Sequence, residues 1–197
     1  MKKNNFTKKI ISGKYKGKTL NLPSKITTRS SKTIVLESFF NTIQFDIINS
    51  NFVEVFSGSG SIGLEALSRG AKFIYFMEKD KEALKTLNSN IKQTNPNDTF
   101  VLSGDSFNNI TTVIKELKNK EEDAYFYIDP PFSVREGMET IYDKMIQLID
   151  NLPQEIVKLI IIEHMTGLEL PSTINDYTKS KSKKFGNTSL TYYKIKD

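Results

Sequence analysis

Apolar positions along the chain fall into two rhythms. Short runs rich in β-branched and aromatic residues stand at Phe52–Phe56, Lys72–Met77, Thr99–Leu102, Ala124–Ile128 and Ile156–Ile162. Such runs suit buried strands. Between them apolar residues recur at three- and four-residue intervals. That period predicts helices over Ser61–Ser68, Lys81–Gln93, Phe107–Leu117 and Glu136–Ile149. Gly70 ends the first of these, and Pro96 stops the chain from resuming the second. Strands alternating with helices imply an α/β fold with a central, mostly parallel sheet layered by helices on both faces. Right-handed crossovers then bring the turns after the strands to one edge, at the strands' carboxyl ends.

The two ends of the chain follow other patterns. Lys9–Ile11 and Thr19–Leu22 read as short strands of a hairpin around Gly13–Lys18, ended by Pro23. Thr33–Ile48 reads as a helix carrying Ile34, Leu36, Phe39, Phe40, Ile43 and Ile47, with Ser30 or Ser31 available as its N-cap. Tyr177–Lys184 and Leu190–Lys196 flank Phe185-Gly186-Asn187-Thr188 and predict an antiparallel hairpin that closes the sheet. Ser180–Lys184 is a short basic stretch with no role assigned to it.

Charge changes the picture at the start of the chain. The net charge is +5, yet ten cations and no acidic residue precede Glu37. The remainder therefore carries 18 cations against 23 acids. A cationic arm on an acidic body points to a polyanionic partner. Lys14, Lys16 and Lys18 in the hairpin turn are placed to meet phosphates, and Tyr15 between them offers a stacking face. With no apolar stretch of about 18 residues there is no transmembrane helix. Residues 1–9 lack the apolar core of a secretory signal. The absence of cysteine removes disulfides and thiolate chemistry, and a single histidine, His164, leaves little for zinc. The expectation is a cytoplasmic protein without a metal.

The candidate chemistry sits at strand ends. Gly58, Gly60 and Gly63 follow the first core run at GxGxxG spacing, where a strand turns into a helix. A nucleotide-like cofactor can approach bare backbone N–H groups there. Glu78 ends the next run twenty residues after Gly58, the offset at which a carboxylate meets a ribose hydroxyl. Asp105, after the third run, is placed to accept from an adenine amino group with the Ser106 backbone beside it, or to cap the following helix. Glu54, inside the first run, must be paired or face a charged ligand. Asp129-Pro130-Pro131-Phe132 closes the fourth run. Two prolines stiffen the backbone and leave carbonyls without N–H donors. The Asp129 carboxylate and Pro130 carbonyl then suit the two hydrogens of an exocyclic base amine, and Phe132 suits stacking on that base. Arg135 either meets RNA phosphate near Phe132 or pairs with Glu139 along a helix.

Across nearly its whole length the chain resembles the bacterial 16S ribosomal RNA guanine-N2 methyltransferases. The matching stretches are Lys9–Leu22, Glu37–Asn41, Glu54–Ala71, Phe76–Asp80 and Asp129–Phe132. The resemblance implies a Rossmann-like class I methyltransferase domain over residues 33–197, preceded by a basic extension with a β-hairpin over residues 1–32. It implies S-adenosylmethionine as cofactor, held by Glu54, Phe56, Ser57, Gly58, Ser59, Gly60, Glu78, Lys79, Gly104, Asp105, Ser106 and Asp129. Asp129, Pro130, Pro131 and Phe132 would form the catalytic loop of a monomer acting on 16S ribosomal RNA or the small-subunit particle. The chain departs from the family where Glu54 replaces an aspartate and Ser57 an alanine. The segment Arg29–Ile34 also replaces a Pro-Thr-rich, Asp-Arg-bearing one. Arg29 and Lys32 are the residues available to substitute for its contacts.

Three other readings compete. An N6-adenine methyltransferase on DNA or RNA would use the same Asp-Pro-Pro-Phe loop. A nicotinamide dehydrogenase would use the glycines and Glu78 but leaves Asp129–Phe132 unexplained. A non-catalytic RNA-binding assembly factor would use only the basic arm.

Overall fold

A computed structural model describes residues 6–23, 29–131 and 140–196, with side chains from residue 33 onward in the second stretch. The arm folds as a hairpin of β1 (Thr7–Lys9) and β2 (Thr19–Asn21), in which Lys8 faces Leu20 across the pair. Its first strand begins two residues before the expected one. The hairpin is docked rather than free. Ile10, Tyr15 and Leu20 are buried in one cluster with core residues. The Glu65 carboxylate accepts from the Ile11 and Ser12 amides at 2.8 and 3.1 Å, and from Arg69 Nε at 2.7 Å. The Tyr15 amide donates to Ser68 Oγ at 2.9 Å.

The chain then forms α1 (Arg29–Thr42). It starts earlier than its apolar period suggested, so Ser30 and Ser31 lie within its first turn rather than capping it. It also stops earlier, at Thr42, whose hydroxyl donates back to the Ser38 carbonyl. The chain turns through residues 43–49, with Asn49 at a left-handed φ of 57°. Ile43 and Ile47 remain buried, which is why the periodicity continued past the helix end.

From Ser50 the alternation holds. It runs β3 (Asn51–Glu54), α2 (Ser61–Ser68), β4 (Phe73–Glu78), α3 (Lys81–Ile91), β5 (Thr99–Ser103), α4 (Ser106–Lys120), β6 (Ala124–Ile128), α5 (Ile141–Asp150) and β7 (Val157–Met165). Asp80 caps α3 through the Glu82 and Ala83 amides. Residues 136–139, part of the helix expected before Ile149, lie outside the described set. The chain ends in β8 (Thr173–Ile174), β9 (Tyr177–Phe185) and β10 (Thr188–Ile195). β8 is too short to leave a periodic signal. β7 runs three residues beyond the expected end because Leu190, Ser189 and Thr188 of β10 pair with Glu163, His164 and Met165. His164 is therefore in a strand and not in the following loop.

The sheet order is β5-β4-β3-β6-β7-β10-β9-β8, with β3 to β7 parallel and the last three antiparallel. The order reverses between β3 and β6. Such a switch point opens a crevice beyond the carboxyl ends of the two strands. Two apolar layers fill the sheet's faces. One joins the hairpin, α1, α2 and α3 to Phe52, Tyr127, Leu190 and Tyr192. The other joins α4, α5 and Leu170 to Val53, Phe126 and Tyr193. No helix among the described residues is long and apolar enough to cross a membrane.

Candidate active site

Glu54 ends β3 at the switch point and is 3% exposed. Its Oε2 accepts from the Gly63 amide at 2.8 Å, with the Ile62 amide as a second donor. These are orphan donors of the first turn of α2, so the strand's own carboxylate caps the helix that follows it. Burial pushes the Glu54 carboxyl up to about 8 against the pull of those two amides, with Asp129 adding to the rise and Lys8 opposing it. Gly60 takes a φ of 74°, and a Cβ there would stand 2.3 Å from Leu87 Cδ1. A Cβ on Gly63 would stand 2.5 Å from Phe76 Cε1, so this glycine lets α2 lie against β4.

The amides of Gly58 and Gly60 in the glycine turn are not bare. Gly58 donates to Glu78 Oε2 at 2.7 Å, and the Gly60 amide donates to the Ser57 carbonyl at 2.7 Å. Glu78 also accepts from the Lys79 and Asp80 amides through Oε1. Lys79 therefore contributes its backbone, while its side chain is exposed. Ser57 bonds both β3 and β4, its hydroxyl donating to the Glu54 carbonyl and accepting from the Met77 amide. The Ser59 carbonyl accepts from Asn90, which also accepts from and donates to the Asn21 backbone. One asparagine thus ties the glycine turn, α3 and the hairpin together.

A cavity of about 390 Å³ opens over the switch point. Its floor is Glu54, Phe56, Ser57, Gly58 and Ser59 from the first strand's end, with Tyr127 and Asp129 from β6 and Glu163 from β7. The hairpin and α1 form its roof, through Lys8, Ile11, Leu22, Thr33 and Leu36 among others. Three carboxylates thus face one small space. The Tyr127 hydroxyl donates to Glu163 Oε2 at 2.6 Å. Burial, then the charges of Glu163 and Asp129, push that phenol far up and keep it a donor. Pro130, next to Asp129, is buried.

The remaining expected residues divide. Glu78 and Gly104 mark the ends of β4 and β5, continuing from Glu54 along the same sheet edge, and the Gly104 amide donates to the Glu78 carbonyl. Asp105 is exposed and caps α4 by accepting from the Phe107 amide at 2.9 Å, with Ser106 buried beside it. Phe107 meets Phe56 edge-on with centroids 5.6 Å apart, which packs the start of α4 against a residue of the cavity wall. Lys14, Lys16 and Lys18 are exposed, and the Lys18 ammonium donates to the Gln93 carbonyl. Tyr15 is a correction. It is buried, with the ammonium groups of Lys14 and Lys18 5.4 and 5.1 Å from its ring centroid, so it packs the hairpin and offers no free face. Arg29 and Lys32 stand at the start of α1, with their side chains outside the described set. Phe132 and Arg135 lie outside the described residues. His164 is structural: Nδ1 meets the Met165 carbonyl, Nε2 meets Thr191 Oγ1, and burial lowers its pKa.

Sequence reasoning missed Lys8, Thr33, Tyr127 and Glu163 as parts of this cavity. Tyr127 sits inside a strand run that reads as core, and Glu163 lies one residue past the run expected to end at Ile162. Their signal was polar atoms in otherwise apolar strands, as at Glu54.

The geometry has counterparts. The family described as Conserved hypothetical protein 95 matches residues 8–194. The ribosomal RNA small subunit methyltransferase D of Buchnera aphidicola subsp. Baizongia pistaciae is 32% identical over 188 residues, covering 93% of this chain and 90% of that protein. The chain belongs to this family. A solved structure from Escherichia coli superposes with a TM-score of 0.76 at 23% identity, over 97% of this chain and 99% of that one. A SAM-dependent methyltransferase from Agrobacterium tumefaciens superposes at 0.61 and 12% identity, over 90% of this chain and 68% of that one. These two likenesses concern the fold, which is the α/β architecture expected from the alternating pattern and the methyltransferase fold that the resemblance implied.

Proposed function

We propose that this member of the family transfers a methyl group from S-adenosylmethionine to the exocyclic N2 of a guanine in small-subunit ribosomal RNA. The observation that carries the reading is the carboxylate-lined cavity at the switch point. A dinucleotide needs free amides at the first helix for its pyrophosphate. Here Glu78 takes the Gly58 amide and Glu54 the Ile62 and Gly63 amides, and Glu54, Asp129 and Glu163 line the space together with Lys8 and Lys9. Carboxylates at those amides leave fewer donors for a pyrophosphate and offer acceptors to a cationic ligand, which argues against the nicotinamide reading. When bound, S-adenosylmethionine supplies an electrophilic methyl group on a sulfonium centre.

The residues fit such a ligand. Glu54, held by α2, is placed for a ligand ammonium, and Glu78 and Gly104 continue the edge toward Asp105 for a sugar and a base. Asp129 accepts one hydrogen of the target amine and the Pro130 carbonyl the other, which aims the nitrogen lone pair at the methyl group. Holding the nitrogen in a near-attack geometry supplies most of the acceleration. No strong base is required, because the methylated ammonium of a base amine is very acidic. Guanine is preferred over adenine on the character of the wall. The Watson–Crick edge of guanine offers donors at both N1 and N2, matched by two carboxylates, Asp129 and Glu163. Adenine offers an acceptor at N1, which a carboxylate repels. Residues 1–32 then act as the RNA-facing extension of a domain spanning 33–197. Nucleoside analysis of ribosomal RNA from strains with and without the gene tests this. N2-methylguanosine should fall in the deletion strain, and an unchanged level would refute the assignment.

A further inference from the structure

The chain has a second stretch without an acidic residue. Residues 177–196 hold six lysines and no Asp or Glu. Residues 37–176 hold 12 cations against 22 acids, so the cations of the two ends stand out against a strongly negative body. In the fold both basic stretches belong to one layer. The hairpin's Ile10, Tyr15 and Leu20 share a cluster with Leu190 and Tyr192 of β10, and Phe185 of β9 packs against it. α1 lies in the same layer, and its Thr33 and Leu36 line the cavity.

Strand register gives the distance. Glu163, in the cavity wall, pairs with Leu190, which pairs with Lys183 on β9. Directly paired residues share a sheet face. Lys183 therefore stands two strand spacings, about 10 Å, from Glu163 on the cavity's own face. Lys181 follows on the same face, paired with Tyr192, and its ammonium lies 4.5 Å from the Tyr192 ring centroid. The Lys183 ammonium reaches Ser38 Oγ of α1 at 3.3 Å. Lys181, Lys183, Lys184 and Lys194 are all exposed, and none forms an ion pair among the described residues. Burial first, then the neighbouring Lys183 and Lys194, pull the pKa of Lys181 down.

Edge protection explains part of this. Among the described residues the outer side of β9 is bonded only near its start, through Tyr177, Thr178 and the Lys179 amide, and lysine blunts an open edge. Protection alone is served by either sign of charge on either face. It does not place two lysines over the face and beside the helix that border the cavity.

We infer that Lys181 and Lys183 of β9 form a docking surface for the RNA backbone, gripping phosphates that flank the base inserted at the cavity. This rests on the reading that RNA is the substrate. With α1 between them, β9 and the hairpin then clasp the polymer from two sides.

The test compares the full-length wild-type chain with Lys181→Ala/Lys183→Ala and with a control, Lys115→Ala/Lys144→Ala, on the helices of the opposite layer. Binding to in vitro transcribed small-subunit ribosomal RNA is measured against salt, and S-adenosylmethionine binding is measured in parallel. Each phosphate contact contributes about 0.7 to 0.9 to the slope of log affinity against log salt. The β9 variant should lose about 1.5 from that slope and bind RNA about tenfold more weakly at ~0.1 M salt, while the cofactor binds as before. An unchanged slope, or an equal loss in the control, would overturn the surface while the proposed reaction stands. Wild-type protein that binds S-adenosylmethionine but no RNA would overturn both the surface and the assigned substrate.

Discussion

At the scale of single residues, Glu54 and Asp129 carry opposite halves of one site. Each is the polar end of a β-strand, and the switch between β3 and β6 brings them together. Asp129→Ala should abolish methyl transfer while RNA still binds. Single-turnover methylation with parallel binding measurements checks this, and substantial residual turnover would remove Asp129 from the chemistry. Glu54 makes a prediction about pH. Its folded-state pKa of about 8 lies above the ordinary 4.5, so the folded chain holds a proton that the unfolded chain has already released. Stability without ligand should therefore fall as pH rises from about 4.5 to 8. Glu54→Gln should flatten that part of the denaturation-versus-pH curve. Ionised Glu54 favours a cationic ligand, so S-adenosylmethionine affinity in the wild type should rise over the same window, and calorimetry reads it directly. Affinity that falls with pH would contradict the role given to Glu54.

At the scale of elements, the docking of the hairpin depends on one buried carboxylate. Glu65 holds two hairpin amides and Arg69. Glu65→Ala leaves those donors without their acceptor and should cost about 3 kcal/mol. Chemical denaturation measures the cost, and hydrogen exchange at the Ile11 and Ser12 amides should accelerate more than in β3. Much at this scale was legible beforehand. Strand, glycine turn and helix over residues 51–68 follow from short-range pattern, and so do the helices and strands up to β6. What was not legible depended on pairing across the chain. The extension of β7 through His164 exists because β10 runs beside it. The end of α1 at Thr42 was hidden because Ile43 and Ile47 stay buried after the helix stops. Tyr15 read as a surface aromatic because its neighbours are lysines, yet those lysines lie over its ring and the core takes the rest. The amide expected to be bare at Gly58 is taken by Glu78, a partner twenty residues away that the sequence places at a strand end.

At the scale of the whole molecule, the cavity opens on the face of the sheet that carries the hairpin and α1. The hairpin, α1 and the ends of β3, β6 and β7 surround the cavity, and β9 continues the same face with lysines. The opposite face carries α4 and α5, and the start of α4 reaches the same sheet edge through Asp105 and Phe107. The carboxyl groups of Glu54, Asp129 and Glu163 line the cavity beside Lys8 and Lys9, and further lysines stand on β9. Under the proposed reaction the carboxyl groups meet a cationic methyl donor and the outer lysines a polyanionic substrate. The most direct measurement is transfer of a labelled methyl group from S-adenosylmethionine by purified protein to small-subunit ribosomal RNA from a strain lacking the gene, followed by digestion to nucleosides and mass spectrometry. The account predicts label in N2-methylguanosine. Label in N6-methyladenosine, or RNA that stays unlabelled as naked strand and as assembled particle, would contradict it.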